Sequence, residues 1–393
     1  MTVLKLIGNC TIDGSCYGAP AIDRKTMETL TEGRGLETLT WTSLDSLESM
    51  PTVADAGISS LFESSPKLIK VKITIPGIYL SRQVIDALAT CCRSLTDIKV
   101  CSRRMNYSDW THAVPNWKFL KRLEITALWM EIAPGGIDRQ HDYNDAEGLF
   151  AAIANGCPQL TSLGFYSGAI PPLHEERPWT QFQRLLKQLV RLELDSSYGS
   201  IGATALDAMA MASESLTSLV LRLEIPPDVS ESLVDVLVRN FQRLQDLRLY
   251  THVSPESFTR LIRFCPALVT LMISNPAPAS INDTHAFALA DGGQPVMLKE
   301  LCINSRCQFT DAGFRALANG CLRNLTCLRI TYVYDTREVD YRAVDLSVDG
   351  VRALVNECPN LCEFEMHFAG RLEGDTTAFI ADMRLRGIST ILH

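Results

Sequence analysis

The hydrophobic residues of the chain recur in a three-position frame, i, i+3 and i+5, with a mostly polar residue between the last two. Apolar alternation of this kind indicates a short strand that is buried on one face only. Twelve complete frames are present, and a partial one begins at Met1. Their first residues are Leu36, Leu68, Leu95, Leu120, Leu160, Leu189, Leu216, Leu244, Leu268, Leu298, Leu325 and Leu361. The frame therefore predicts a strand at each of these places.

The segments between the frames carry apolar residues at helical spacing. In FTDAGFRALANGC, Phe314, Leu317 and Cys321 fall on one face of a helix, and Thr310 and Asp311 are placed to cap its start. Several such segments end in Cys-Pro, and proline cannot continue a helix. Successive frames begin 24 to 40 residues apart, near the period of about 20–29 residues of leucine-rich repeats. One strand and one helix cannot bury their apolar sides alone, so the units must stack on one another.

Three segments carry a family resemblance: FTDAGFRALANGC, YNDAEGLFAAIANGCPQL and LSVDGVRALVNECPNL. They resemble the cysteine-containing leucine-rich repeat of the ribonuclease-inhibitor-like superfamily, best known from F-box leucine-rich-repeat proteins. The resemblance implies an α/β solenoid, a horseshoe with parallel strands on its concave face and helices on its convex face. We expect residues 1–393 to form one domain of about twelve full repeats. Residues 1–8 would be a partial first repeat, and residues 371–393 a degenerate C-terminal cap.

The same resemblance implies a non-enzymatic protein-recognition module, the substrate-binding part of an SCF-type ubiquitin-ligase system. No segment of the sequence matches an F-box, so a Skp-type adaptor is implied only if an F-box lies upstream. The alternative is a repeat-only scaffold or regulatory protein that binds one protein partner and has no role in ubiquitin transfer. A remote alternative is an enzyme inhibitor or a GTPase activator on the same architecture.

Composition and charge narrow the class of protein further. Hydrophobic residues make up 46% of the chain and the mean hydropathy is +0.06, with no apolar run near the roughly 18 residues of a membrane span. The N-terminus lacks the basic and apolar segments of a secretory signal. The 13 cysteines are an odd number, and most follow the repeat, so we expect reduced core thiols in a cytoplasmic or nuclear protein. The net charge of −8 disfavours nucleic acid as a partner.

Motifs for chemistry are missing from the sequence. We find no phosphate-binding loop, no nucleophile elbow and no H-E-x-x-H or C-x-x-C motif. Cys302, Cys307, Cys321 and Cys327 follow the spacing of the repeat rather than that of a zinc site. We therefore expect no catalytic residues, no cofactor and no metal site.

Charged residues at i+2, i+4 and i+6 of the frames are expected on the concave face, because strand side chains alternate. Nine are basic and eight acidic: Lys5, Lys70, Lys72, Lys99, Arg122, Arg191, Arg222, Arg248 and Arg329, and Asp97, Glu124, Glu193, Asp195, Asp246, Glu300, Glu363 and Glu365. The basic residues gather toward the first repeats, which suits a protein partner with its own charge pattern. The predicted concave binding residues are Lys70, Lys72, Lys99, Arg122, Arg191, Arg248, Arg329, Glu300, Glu363 and Glu365. We expect charge reversal at Lys72 and Arg122 to weaken partner capture with little change in melting temperature.

Insertions after several strands are expected to share one rim of the solenoid. They bring aromatic residues of the kinds favoured at binding hot spots, and the predicted rim contacts are Trp129, Tyr143, Tyr166 and Tyr334. Other aromatic residues are assigned to the core: Trp110 and Trp117 where no clear helix is predicted, and Trp179 beside the helix that contains Phe182, Leu185 and Leu186.

Overall fold

A computed structural model describes most of the chain, in two compact units, Met1–Ser200 and Ile201–His393. The described residues are 3–8, 36–43, 55–74, 80–102, 106–127, 139–167, 170, 173–174, 176–211, 213–225, 227–274, 280–291, 297–304, 306–319, 322–331, 346–367 and 372–392. The expectation of a single domain stays a prediction.

The first unit alternates strands and helices. Its strands are β1 (Val3–Gly8), β2 (Thr38–Ser43), β3 (Lys70–Thr74), β4 (Asp97–Ser102), β5 (Arg122–Ala127), β6 (Ser162–Ser167) and β7 (Arg191–Ser200). Its helices are α1 (Asp55–Glu63), α2 (Arg82–Cys91), α3 (Tyr107–Ala113), α4 (Arg139–Gly156) and α5 (Thr180–Leu186). The strands form one parallel sheet in chain order.

The second unit continues the alternation. Its strands are β8 (Ser218–Glu224), β9 (Asp246–Leu249), β10 (Thr270–Ser274), β11 (Ser280–Asn282), β12 (Glu300–Asn304), β13 (Arg306–Gln308), β14 (Cys327–Thr331), β15 (Glu363–Met366) and β16 (Ser389–Leu392). Its helices are α6 (Ala203–Ala210), α7 (Pro227–Asn240), α8 (Pro255–Phe264), α9 (Asp283–Asp291), α10 (Asp311–Asn319), α11 (Val348–Glu357) and α12 (Thr376–Leu385). The main sheet is parallel in the order β8-β9-β10-β12-β14-β15-β16, while β11 and β13 pair separately.

The residues of the i, i+3, i+5 frames form the hydrophobic core of both units. Every residue of the twelve frames is buried, and the most exposed, Trp41, is 5% accessible. Equivalent frame residues face one another across the strands, as Leu39, Val71 and Ile98 do from β2 to β4. The strand prediction and the α/β repeat fold are therefore confirmed.

Buried cysteines join consecutive repeats. The Cys157 thiol donates to the carbonyl of Val114 at 3.4 Å, and the Cys358 thiol to that of Leu322 at 3.5 Å. Burial raises the pKa of Cys157 to about 12 and that of Cys358 to about 11, so both remain neutral thiols at pH 7. Cys157 and Cys358 thus each satisfy a carbonyl of the preceding repeat while filling the core.

Carboxylates near the helix starts link neighbouring repeats in the second unit. Asp283 accepts from the backbone nitrogen of Thr310 at 2.8 Å and from its hydroxyl at 2.6 Å. Asp311 accepts in the same way from Ser347, at 2.8 and 2.6 Å. The sequence-based assignment of Thr310 is confirmed, because its hydroxyl accepts from the nitrogen of Ala312 at 3.1 Å. Asp311 lies in the first turn of the same helix, α10, and its carboxylate also binds Ser347, the residue that caps the next helix, α11.

The tryptophans assigned to the core are buried. Trp110 and Trp117 are 2% and 0% exposed and meet edge to face, with ring centroids 6.2 Å apart. Trp110 lies on α3, a short helix that the sequence pattern did not show. Trp179 packs on Phe182 at the start of α5, with centroids 6.4 Å apart. Among the described residues no helix combines the length and apolar character needed to cross a membrane.

Candidate protein-interaction surface

Side chains that alternate with the buried frame point to the opposite side of each sheet, which we call the strand face. In the first unit the parallel register arranges them in two rows across β2 to β7. The rows are Thr38, Lys70, Asp97, Arg122, Ser162 and Arg191, and Thr40, Lys72, Lys99, Glu124, Gly164 and Glu193. The charged residues predicted for a concave surface therefore become neighbours across strands.

Glu124 is the centre of an ion-pair network on this strand face. Its carboxylate is 2% exposed and lies 2.7 Å from the Lys99 ammonium nitrogen and 2.7 Å from Arg122 Nε. Burial alone would raise the pKa of Glu124, but hydrogen bonds from Lys99 and Arg122 outweigh it and hold the pKa below its usual value. Lys99 and Arg122 are thus held in place by a buried anion of the protein itself.

Tyr166 lies on the strand face of β6, folded back over Gly164. A Cβ at Gly164 would be 2.8 Å from Tyr166 Cε2, so the ring fits there because residue 164 has no side chain. The Lys99 ammonium lies 5.9 Å from the ring centroid, a cation–π contact, and the hydroxyl hydrogen-bonds Glu193. Burial, then the charges of Glu193 and Glu124, raises the pKa of Tyr166. Tyr166, which we predicted on the insertion rim, lies instead within strand β6.

A shallow depression of about 320 Å³ opens on β2 to β5. It is lined by Thr38, Leu39, Thr40, Lys70, Val71, Lys72, Asp97, Lys99 and Arg122. Lys70 and Lys72 are exposed there and form no ion pair with any residue in the described part of the chain. The depression therefore presents two cations whose charge no described side chain neutralises by direct contact.

The strand face of the second unit has its own ion pairs. Arg329 on β14 donates to Glu363 on β15, with distances of 2.6 Å from Nη2 and 3.0 Å from Nε, and its Nε lies 3.6 Å from Glu365. His367 Nε2 is 2.9 Å from the other oxygen of Glu365. This part of the surface therefore combines an arginine between two carboxylates with a histidine at its border.

The remaining predicted charges also lie on strands. Arg191 pairs with Glu193 at 2.8 Å in the first unit, and Arg248 pairs with Asp246 at 3.0 Å in the second. Glu300 is exposed on β12. Arginine and carboxylate stand two residues apart on one strand in both pairs, where strand geometry turns them to the same side. Binding of a partner by these residues stays a prediction.

The other rim predictions cannot be placed in the same way. Trp129 and Tyr334 lie outside the described residues, and Tyr143 belongs to α4 at a position whose side chain is not described. Cys302 and Cys327 lie on neighbouring strands, where burial raises the pKa of both thiols. Within the described residues no group of three or more metal-binding side chains comes together.

Sequence comparison identifies no matching protein-family model and no matching curated protein. Among solved structures, a chain of the yeast Rad7 and Elc1 complex is similar, with a TM-score of 0.53 and 16% identity, over 94% of this chain and 87% of that chain. The leucine-rich-repeat-containing protein LegL7 from Legionella pneumophila matches with a TM-score of 0.42 and 10% identity, over 91% and 97%. At sequence identities this low, structural similarity shows a shared fold and not a shared function. With its parallel strand–helix repeats, the chain has the fold of a leucine-rich-repeat solenoid.

Proposed function

We propose that the protein is a non-enzymatic recognition module that binds a protein partner on its strand face. The observation that carries the proposal is the ordered charge network around the buried carboxylate of Glu124. Independent solvated side chains would leave their carboxylates in water, because burying an ion is costly unless it is paired. The network instead fixes Lys99 and Arg122 in one arrangement before any partner arrives. Such preorganisation lowers the entropy lost on binding.

Parallel strands in register give the surface its specificity. Each repeat adds one strand, so alternate residues of neighbouring strands form a two-dimensional pattern of charge. A partner with the complementary pattern gains on-rate and selectivity, whereas a mismatched partner meets like charges. Uncharged residues of different size lie between the charges and give the surface its relief. Examples are Thr40, Gly164 and Tyr166.

At a finer level, we propose that the recognised protein is a substrate presented to an SCF-type ubiquitin ligase. The resemblance of the repeats around Asp311 and Asp349 to those of F-box leucine-rich-repeat proteins supports this role. The structure that matches with a TM-score of 0.53 is itself a complex of two proteins, Rad7 and Elc1. If an F-box lies upstream, a Skp-type adaptor would be a second partner of the same polypeptide.

Affinity capture of the tagged protein from its native cell extract, followed by quantitative mass spectrometry, tests both levels. Recovery of a Skp-type adaptor and a cullin would support the ligase role, and the remaining prey would be candidate substrates. One stoichiometric partner without these components would support the repeat-only scaffold. Absence of any protein enriched over a tag-only control would contradict the proposal of a recognition module.

A further inference from the structure

We propose that the depression on β2 to β5 binds an extended acidic segment of the partner, with Lys70 and Lys72 contacting carboxylates at alternate positions of that segment. This inference rests on the proposed function and specifies the chemistry of one part of the strand face.

The two lysines differ from the other cations predicted for this surface. Lys99 and Arg122 are held by Glu124, and Arg191 is held by Glu193. Neither Lys70 nor Lys72 forms an ion pair among the described residues, although Asp97 stands opposite Lys70 on β4, and both lysines are exposed. Because both ammonium groups are exposed and form no ion pair with a described residue, each can pair with an external carboxylate without breaking such a contact inside the protein.

Lys72 faces a like charge across the sheet. The parallel register of β3 and β4 sets Lys72 directly opposite Lys99, and directly opposed like charges destabilise a sheet. The Lys99 ammonium forms an ion pair with Glu124 at 2.7 Å, whereas Lys72 forms no ion pair with a described residue. An anion bound from outside would remove this repulsion, so the arrangement favours an anionic partner at this position.

The spacing of the lysines selects an extended occupant. Residues two apart on a strand project to the same side about 6.6–6.8 Å from one another. An extended peptide repeats with the same period, so acidic residues at its alternate positions would meet Lys70 and Lys72 in turn. Consecutive acidic residues would point to opposite sides of the peptide, and only one of each pair could be used.

The rest of the depression fits such a peptide. Thr38 and Thr40 stand opposite Lys70 and Lys72 on β2, and their hydroxyls can donate hydrogen bonds to carboxylate oxygens. Asp97 is the one acid among the described residues that line the depression, and the charges of Arg122 and Lys70 act on it. The depression therefore keeps a net positive charge at its centre, over β3.

Fluorescence anisotropy with the full chain tests the proposal. The probes are a short labelled peptide with glutamates at alternate positions, a sequence isomer with the same glutamates consecutive, and a phosphoserine peptide of equal charge. We expect the alternating peptide to bind at least about fivefold more tightly than its isomer, with an affinity that falls as salt is raised. Equal affinity for the two isomers, no binding of either, or tighter binding of the phosphoserine peptide would overturn the proposal.

Three double variants, one of them a control, locate the binding site. Lys70→Glu with Lys72→Glu should weaken binding of the alternating peptide by about tenfold or more, and Lys70→Gln with Lys72→Gln should weaken it less. Lys67→Glu with Lys118→Glu is the matched control, because both lysines are exposed in turns outside the depression and the net charge changes equally. Melting temperatures of all variants should stay near that of the wild type. Equal loss in the control pair would overturn the assignment to the depression.

The partner found by affinity capture separates this proposal from the broader one. Loss of that partner in the Lys70→Glu and Lys72→Glu variant, together with loss of the peptide, supports both proposals. Retention of the partner by the variant would overturn the acidic-segment proposal and leave the recognition module standing. If the wild type captures no partner, the recognition module itself fails.

Discussion

The carboxylate of Asp311 lies against Gly350, one repeat further along the chain, while it accepts two hydrogen bonds from Ser347. A Cβ added at Gly350 would stand 2.7 Å from Asp311 Cγ. We therefore expect Gly350→Ala to lower the free energy of unfolding by about 1–3 kcal/mol, because the hydrogen bonds from Ser347 to Asp311 must shift or break. Urea unfolding of the purified variant measures this change.

Gly148→Ala is the matched control, since Gly148 also lies within a helix, α4, and a Cβ there meets nothing within 4 Å. Helix propensity alone favours alanine over glycine by about 0.5–1 kcal/mol, so this control should be neutral or stabilising. A Gly350→Ala variant as stable as the control would show that Asp311 does not join the two repeats as described.

Glu124→Gln should destabilise the protein at pH 7 by about 1–3 kcal/mol, because Lys99 and Arg122 would lose their anion while both are partly exposed. The pKa of Glu124 is lower in the folded state than its ordinary value of 4.5. Its charge therefore stabilises the fold above about pH 4.5, and this contribution disappears as the pH falls through the folded-state pKa. Urea unfolding should show the wild type and the variant converging in acid.

Glu300→Gln is the control, because Glu300 is exposed on β12 and should change stability little at either pH. A constant difference between the wild type and Glu124→Gln down to about pH 3 would contradict the ion-pair account.

The ion-pair network around Glu124 also limits which variants can be used to test binding. Arg122→Glu would place a second carboxylate beside Glu124, so a loss of binding there would be confounded by a loss of stability.

His285 should make the fold sensitive to mild acid. Its ring is 4% exposed; Nε2 donates to the carbonyl of Val253 at 3.2 Å, and Nδ1 lies 3.3 Å from the nitrogen of Asn282. Burial lowers the pKa of His285 below its ordinary value of 6.5, against the opposing effect of the bond to Val253, and nearby His252 lowers it further. The unfolded chain thus takes up the proton first, and stability falls as the pH drops below about 6.5.

His285→Gln should remove this dependence, which amounts to at most about 1.4 kcal/mol per pH unit. Thermal unfolding between about pH 7.5 and 5.5 measures it. His112→Gln, at an exposed position on α3, should behave as the wild type does. An unchanged pH slope in the His285 variant would show that another group is responsible.

Cysteine alkylation should follow burial. Cys362 is exposed, whereas Cys157 is buried with its pKa raised to about 12. Since the thiolate is the reactive form, Cys362 should react with iodoacetamide at least about tenfold faster than Cys157 in the native protein. Peptide mass spectrometry resolves the two rates, and denaturation in urea should make them similar. Comparable rates in the native state would contradict the buried position of Cys157.

The core of the fold was readable from the sequence because frame residues such as Leu68, Val71 and Ile73 obey a local spacing that burial demands. Polar contacts between residues far apart in the chain could not be predicted from the sequence in this way. Asp311 looks like a cap for its own helix, and only the stacking of repeats brings it to Ser347. The pair of Lys99 with Glu124 could have been found, because both stand four residues after a frame leucine and so share a row.

Tyr166 shows what local spacing alone cannot supply. The residue follows a strand frame and precedes an insertion, so the sequence leaves its direction open. Its ring turns back over the sheet because Gly164 leaves space beside Glu124, so its direction depends on three residues rather than one. The surface that results depends on register and on the gaps between neighbours, which a single sequence does not display.

Site-specific photocrosslinking tests the central claim, binding on the strand face, most directly. A photoreactive amino acid is placed at Thr40, in the depression on the strand face, and in a separate variant at Thr90, exposed on α2. Each variant is irradiated with the partner identified by affinity capture. The account predicts a covalent product from Thr40 and little from Thr90, and crosslinking from Thr90 alone would contradict it.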